Sequence, residues 1–85
     1  MGELSKLPNI GKTVEQQLTQ AVIQTYDGLK AVGAKEAWLR IQAFDPSACI
    51  NRLMALEGAI EGVKKNLLPA EVKEDLKSFY QEHKK

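Results

Sequence analysis

One apolar stripe constrains this chain more than any other feature. Cys49, Leu53, Leu56, Ile60 and Val63 recur at steps of three and four residues, the spacing that stacks side chains on one face of an α-helix. Asp45-Pro46 reads as its start signal, an N-cap followed by proline at the first helical position. Gly62 stands near its end, where Lys64 and Lys65 suit the negative pole of the helix dipole. A helix so apolar along one side must be covered by the rest of the chain. With 85 residues there is chain enough for a single domain, residues 1–85, whose neighbouring elements must be short. A chain of this length buries only roughly 60–65% of its unfolded surface, so the core has to be small and closely packed.

The covering elements can be followed in order. Met1 to Lys6 is a lead-in in which Leu4 and Leu7 can pack as one turn of helix. A turn at Pro8–Gly11 follows, then a helix over about Lys12 to Val22 with Val14, Leu18, Ala21 and Val22 on its apolar side. Thr25 is placed as the N-cap of a short helix, with Asp27 in its first turn. That helix turns Tyr26, Leu29 and Val32 inward and stops at Gly33. Ala34 to Phe44 forms the next segment, with Ala37, Trp38, Ile41 and Phe44 on one side. After the stripe, Leu68-Pro69 restarts a last helix from Ala70 to about Glu82, burying Val72, Leu76, Phe79 and Tyr80. Nothing reads as a strand. The expected fold class is all-α, a compact bundle of about five short helices.

The run Leu7-Pro8-Asn9-Ile10-Gly11-Lys12 resembles the turn of helix-hairpin-helix domains, in which such a run contacts the phosphate backbone of DNA. Asn9 stands where the first glycine of that run would be. Asn9 and Gly11 are residue types that tolerate positive φ, and the bend leaves backbone N–H groups beside the positive pole of a helix. Leu29-x-x-Val32-Gly33 repeats the pattern of Leu7-x-x-Ile10-Gly11, each followed at once by a helix. Gly33 reads first as the C-terminal glycine of the short helix; taken instead as a second turn like that at Gly11, it would form a tandem pair facing one partner. The candidate contact residues are Lys6, Asn9, Ile10, Gly11 and Lys12, with Gly33 and Lys35 at the second turn.

A wider resemblance takes in most of the chain. Leu7 to Lys12, Val32-Gly33-Ala34, Glu36-Ala37-Trp38-Leu39-Arg40, Asp45-Pro46, Asn51-Arg52-Leu53, Ala55-Leu56-Glu57-Gly58-Ala59-Ile60 and Leu68-Pro69 together resemble the C-terminal domain of the TfoX/Sxy competence regulators. The resemblance implies a helical domain with helix-hairpin-helix character and a role in bacterial transcriptional regulation of DNA uptake. The full-length regulators carry an N-terminal α+β domain, so this chain resembles a stand-alone form. Two departures stand out. Val22-Ile23 occupies the place of a usual glycine-isoleucine pair, and Lys64-Lys65-Asn66 replaces an aromatic connector before the last helix.

Catalytic chemistry finds little support. His83 is the sole histidine and lies in a charged terminus, and Cys49 sits on the apolar stripe as an inert thiol. No serine–histidine–acid set and no zinc-ligand spacing is present. Glu57 and Glu61, four apart, read as a solvated face. Gly11-Lys12-Thr13 lacks the earlier glycine and the strand of a phosphate-binding loop. The chain reads as a non-enzyme without cofactor or metal. It has no apolar run of the ~20 residues that span a membrane and no signal-peptide core. One cysteine, unable to form an internal disulfide, fits the cytoplasm.

Two binding readings remain. The formal net charge is +1, whereas a clamp on many phosphates needs a clear basic excess. Contact with a protein, either a transcription factor or a second copy in a homodimer, therefore ranks first. It would use the turn or the exposed side of the Asp45–Val63 helix. Direct, weak, sequence-independent DNA binding through the turn ranks second, with Lys6 and Lys12 supplying the charge.

Overall fold

The computed structural model describes residues 3–83, and all of its regular elements are helical. A 3-10 turn, Glu3–Lys6, leads into α1 (Lys12–Gln20), α2 (Tyr26–Val32), α3 (Ala34–Phe44) and α4 (Ile50–Glu61). A second 3-10 turn, Lys65–Leu67, precedes α5 (Ala70–His83). The all-α expectation and its five helices hold among the described residues; Met1 and Gly2 of the expected lead-in lie outside them.

The middle of the stripe forms the centre, while Ile60 and Val63 are half-buried and Val63 lies beyond the end of α4. Leu53 and Leu56 of α4 are wholly buried against Ala37, Trp38 and Ile41 of α3. α5 covers α4 through Leu76, while Leu18 and Leu29 bring α1 and α2 to the same core. Trp38 meets Phe79 and Tyr80 of α5 edge-on, at 6.1 and 5.7 Å between ring centres. Its indole N–H donates to the Cys49 carbonyl at 3.2 Å, so the large ring leaves no polar atom unpaired. Tyr26 ties α2 to the end of α4 by donating to the Ile60 carbonyl at 2.7 Å. Gln42, nearly buried, donates to the His83 carbonyl at 2.9 Å and so satisfies the end of α5.

Several boundaries differ from the sequence expectation. α4 begins at Ile50, not Pro46, and Cys49 is its extended N-cap residue (φ −114°, ψ 178°), ahead of the stripe rather than on it. The reason is that Asp45 has other partners. Its carboxylate accepts from the Ser47 N–H at 3.1 Å and the Ser47 hydroxyl at 2.5 Å, which makes Asp45–Ser47 a turn. It also accepts from Gln17 of α1 at 2.6 Å and Arg52 of α4 at 2.9 Å. Arg52 in turn donates to the Gln17 side-chain oxygen at 2.9 Å, closing a three-residue network. These bonds, led by those from Ser47 and Gln17, lower the Asp45 pKa from 3.8 to about 2.

α1 ends at Gln20, two residues early. Val22, expected on the apolar side, is 82% exposed and has φ 64°, while Ile23 enters the core in its place. Phe44, also expected inside, is 42% exposed at the end of α3. Thr25 caps α2 as expected, its hydroxyl accepting from the Gly28 N–H at 2.9 Å. A Cβ at Gly28 would stand 3.1 Å from that hydroxyl, a tight contact that would press on the cap.

Candidate interaction surfaces

The turn before α1 divides its backbone differently from the sequence expectation. Asn9 takes the positive φ, 69°, but Gly11 is extended at φ −97°, ψ −175° and serves as the N-cap of α1. Nothing approaches a Cβ built on Gly11, so neither conformation nor space requires glycine there. Gly33 is a different case. At φ 87° it is the single residue between α2 and α3, in a backbone region that L side chains rarely adopt. The two turns that look alike in sequence therefore have unlike backbones.

Asn9 is a tie within the fold. Its side-chain N–H donates to the Val63 carbonyl and its side-chain oxygen accepts from the Lys65 N–H, both at 3.0 Å. Each of these backbone groups follows the end of α4, where helical partners have run out. Asn9 reaches them because Gly58 carries no side chain. A Cβ there would lie 2.5 Å from the Asn9 nitrogen and 2.8 Å from the Val63 carbonyl oxygen. Sequence reading missed Gly58, although a glycine inside an amphipathic helix is itself a sign of close approach.

This tie brings the connector after α4 against the turn before α1. Lys64 and Lys65 thereby join Lys6 and Lys12 around one corner, all four exposed and none in an ion pair among the described residues. The N-terminus of α1 has no side-chain cap, and Gly11, Lys12 and Thr13 are exposed there. Ile10 is buried, 5% exposed, and anchors the turn from below. The corner has the chemistry to attract an anion.

Gly33 and Lys35 belong elsewhere. They line an open groove of about 500 Å³ where the start of α3 meets α4 and α5, and no residue of the first turn lines it. The Lys35 ammonium is 2.7 Å from the Asp75 carboxylate and 5.4 Å from the Phe79 ring centre, so its charge is already engaged. Val32, Val72 and Leu76 give the groove an apolar floor, and Glu57 and Glu71 stand at its edge. Glu57 is half-buried rather than solvated. Burial first, then the hydrogen bond and charge of Glu61, raise its pKa from 4.5 to about 7. No signal in the sequence separates this pair from ordinary i, i+4 carboxylates, since the desolvation comes from the other helices.

Among the described residues, no group of three or more histidine, cysteine, aspartate or glutamate side chains could hold a metal ion. His83 stacks on Phe79 with ring centres 4.1 Å apart, its Nδ1 2.9 Å from the Phe79 carbonyl. Cys49 is a half-buried free thiol. Among the described residues, no helix is long and apolar enough to cross a membrane.

The sequence matches the family model of the TfoX C-terminal domain over residues 1–80. The chain belongs to that family. It is similar to the protein Sxy of Escherichia coli (strain K12), at 33% identity over 73 residues. That stretch covers 86% of this chain but 35% of Sxy, so the chain spans about a third of the length of this curated relative. The fold recurs in a triclinic crystal structure of an uncharacterized protein from Listeria monocytogenes. The TM-score is 0.92 at 51% identity, over 93% of this chain and 90% of that one. A tetragonal crystal structure of a Listeria monocytogenes protein of unknown function matches equally, with TM-score 0.92 and 50% identity over 94% and 98% of the two chains. The TfoX C-terminal domain fold is thus shared with experimental structures at high sequence identity.

Proposed function

We propose that this chain is a non-catalytic interaction domain in bacterial, competence-type regulation of DNA-linked processes, acting by contact with another protein. Membership of the TfoX C-terminal domain family and the similarity to Sxy support the regulatory setting. The observation that carries protein contact is the groove of about 500 Å³, concave and apolar-floored on a domain of only 85 residues. The corner expected to clamp phosphate has Asn9 engaged internally and its glycine in ordinary extended backbone. A lone free cysteine fits a reducing cytoplasm.

Direct DNA binding has an observation of its own, four exposed lysines on the two connectors that Asn9 ties together, with Lys12 at the uncapped start of α1. One experiment separates the two. The photocrosslinking residue p-benzoylphenylalanine is placed at Val72 in the groove or at Lys12 in the corner, in bacteria producing the chain. Protein contact predicts a discrete protein adduct from Val72 and none from Lys12. The reading fails if neither position yields a protein adduct while purified chain binds duplex DNA in a salt-sensitive manner. Four neutralised phosphates would weaken that binding about a hundredfold between about 50 and 200 mM salt.

A further inference from the structure

The groove has a chemistry that narrows what can occupy it. Its floor, from Val32, Val72 and Leu76, offers aliphatic contact along α2 and α5. Its edge is acidic, and its one lining cation is already paired, because Lys35 lies 2.7 Å from Asp75. Glu57 and Glu71 are in no ion pair among the described residues. We infer that this groove docks a partner-protein segment carrying large aliphatic side chains flanked by lysine or arginine. The inference rests on the protein-contact reading above.

Charge complementarity over an apolar floor selects this occupant. Aliphatic anchors fill the floor, and cations beside them meet Glu57 and Glu71. Glu57 faces Lys35 from α3, Glu61 on its own helix, and Asp75 and Glu71 from α5, so acidic neighbours outnumber the single basic one. Glu61 adds its charge to the burial that already disfavours an ionised Glu57. An incoming ammonium or guanidinium supplies the counter-charge these carboxyls lack. An acidic segment would be repelled, and a purely apolar one would leave the carboxylates desolvated without a counter-charge. The exposed Leu67, beside Lys64 and Lys65, gives a second copy of the chain related chemistry, so self-association is read out in the test.

The test is an amide-resolved NMR titration of the full chain with three short synthetic helices. One has leucine along one face and lysine elsewhere, one replaces lysine with glutamate, and one replaces leucine with serine. The leucine–lysine helix should shift Val32, Glu57 and Val72, and the other two should not. The double variant Glu57→Gln, Glu71→Gln keeps the side-chain shapes and should bind about fivefold more weakly. Binding should be tighter at about pH 8 than at about pH 6, because deprotonated Glu57 is the form that pairs. Equal binding of the glutamate helix, an unchanged affinity in the double variant, or shifts confined to other surfaces would overturn the inference. So would shifts at these three residues on concentrating the chain alone, which would assign the groove to a second copy. A Val72 photoadduct to a protein through an acidic segment would keep protein contact and reject the basic occupant. Absence of adducts would instead strike the underlying reading.

Discussion

Replacing Val22 with glycine should make this domain more stable. α1 closes with the Val22 N–H donating to the Thr19 carbonyl at 3.0 Å and the Ile23 N–H to the Leu18 carbonyl at 2.8 Å. α4 closes in the same way, from Gly62 to Ala59 at 3.3 Å and from Val63 to Gly58 at 2.9 Å. Both closures put one residue at positive φ, 64° for Val22 and 77° for Gly62. This is the geometry of a Schellman ending, in which glycine is the usual occupant. A left-handed L residue costs about 1–2 kcal/mol, and a β-branched side chain is among the least suited to it. Glycine's greater freedom in the unfolded chain takes back about 0.5–1 kcal/mol. Val22 is 82% exposed, so truncation removes little burial. The net gain is about 1 kcal/mol, a rise of about 4–8 °C in Tm for a domain of this size. Thermal and urea unfolding followed by far-UV circular dichroism would measure it. Val22→Ala, which keeps a Cβ, should gain less, and Gly62→Val should lose about what Val22→Gly gains or more. A Val22→Gly protein no more stable than the parent, with Gly62→Val tolerated, would refute the strain argument. The bond pattern also explains why valine is endured. The reversal it completes delivers Ile23, 1% exposed, to the core.

Other expectations follow from the same packing. Leu53→Ala empties a fully buried position of α4 and should cost about 2–5 kcal/mol, enough to unfold a domain this small; an unchanged urea midpoint would mean α4 is not the core. Gly58→Ala forces a Cβ toward Asn9 and the Val63 carbonyl and should cost about 1–3 kcal/mol; an Asn9→Ala background removes the first contact and leaves the second, so a double-mutant cycle should show partial coupling. The Glu57 carboxyl, raised in the folded state from 4.5 to about 7, favours folding at low pH and loses that contribution as pH rises through 7. Glu57→Gln should therefore raise Tm relative to the parent at about pH 8 and show no such advantage at about pH 4. Asp45 has the opposite sign, since its pKa is lowered from 3.8 to about 2. Its contribution is present above about pH 4 and is lost as pH falls through 2, so Asp45→Asn should flatten the acid limb of a stability–pH curve.

The site was less legible than the fold. The Pro8–Gly11 turn, the Gly33 break and the Asp45-Pro46 interruption are all real, because proline, glycine and short polar side chains act on their own backbone. What each residue does at those breaks was less accessible. Asn9 and Gly11 looked interchangeable as positive-φ residues, and the Val63 and Lys65 partners that select Asn9 come from 54 and 56 residues away. Asp45 looked like a helix cap until Gln17 and Arg52 claimed its carboxylate from other helices. The candidate residues themselves fell into two places, with Lys6 and Lys12 at the lysine corner and Gly33 and Lys35 in the groove.

By itself the sequence determined five helical segments, the central place of the Leu53–Leu56 stripe and the family, because periodicity and local breakers are properties of neighbouring residues. Only the tertiary structure decided which carboxylate is desolvated, which lysine is already paired and which glycine must lack a side chain. Those properties depend on residues distant in the chain. Glu57 is half-buried beneath α3 and α5, Lys35 meets Asp75 across two helices, and Gly58 makes room for Asn9. Burial and charge pairing are set by what packs opposite a residue, and packing is decided when the helices meet.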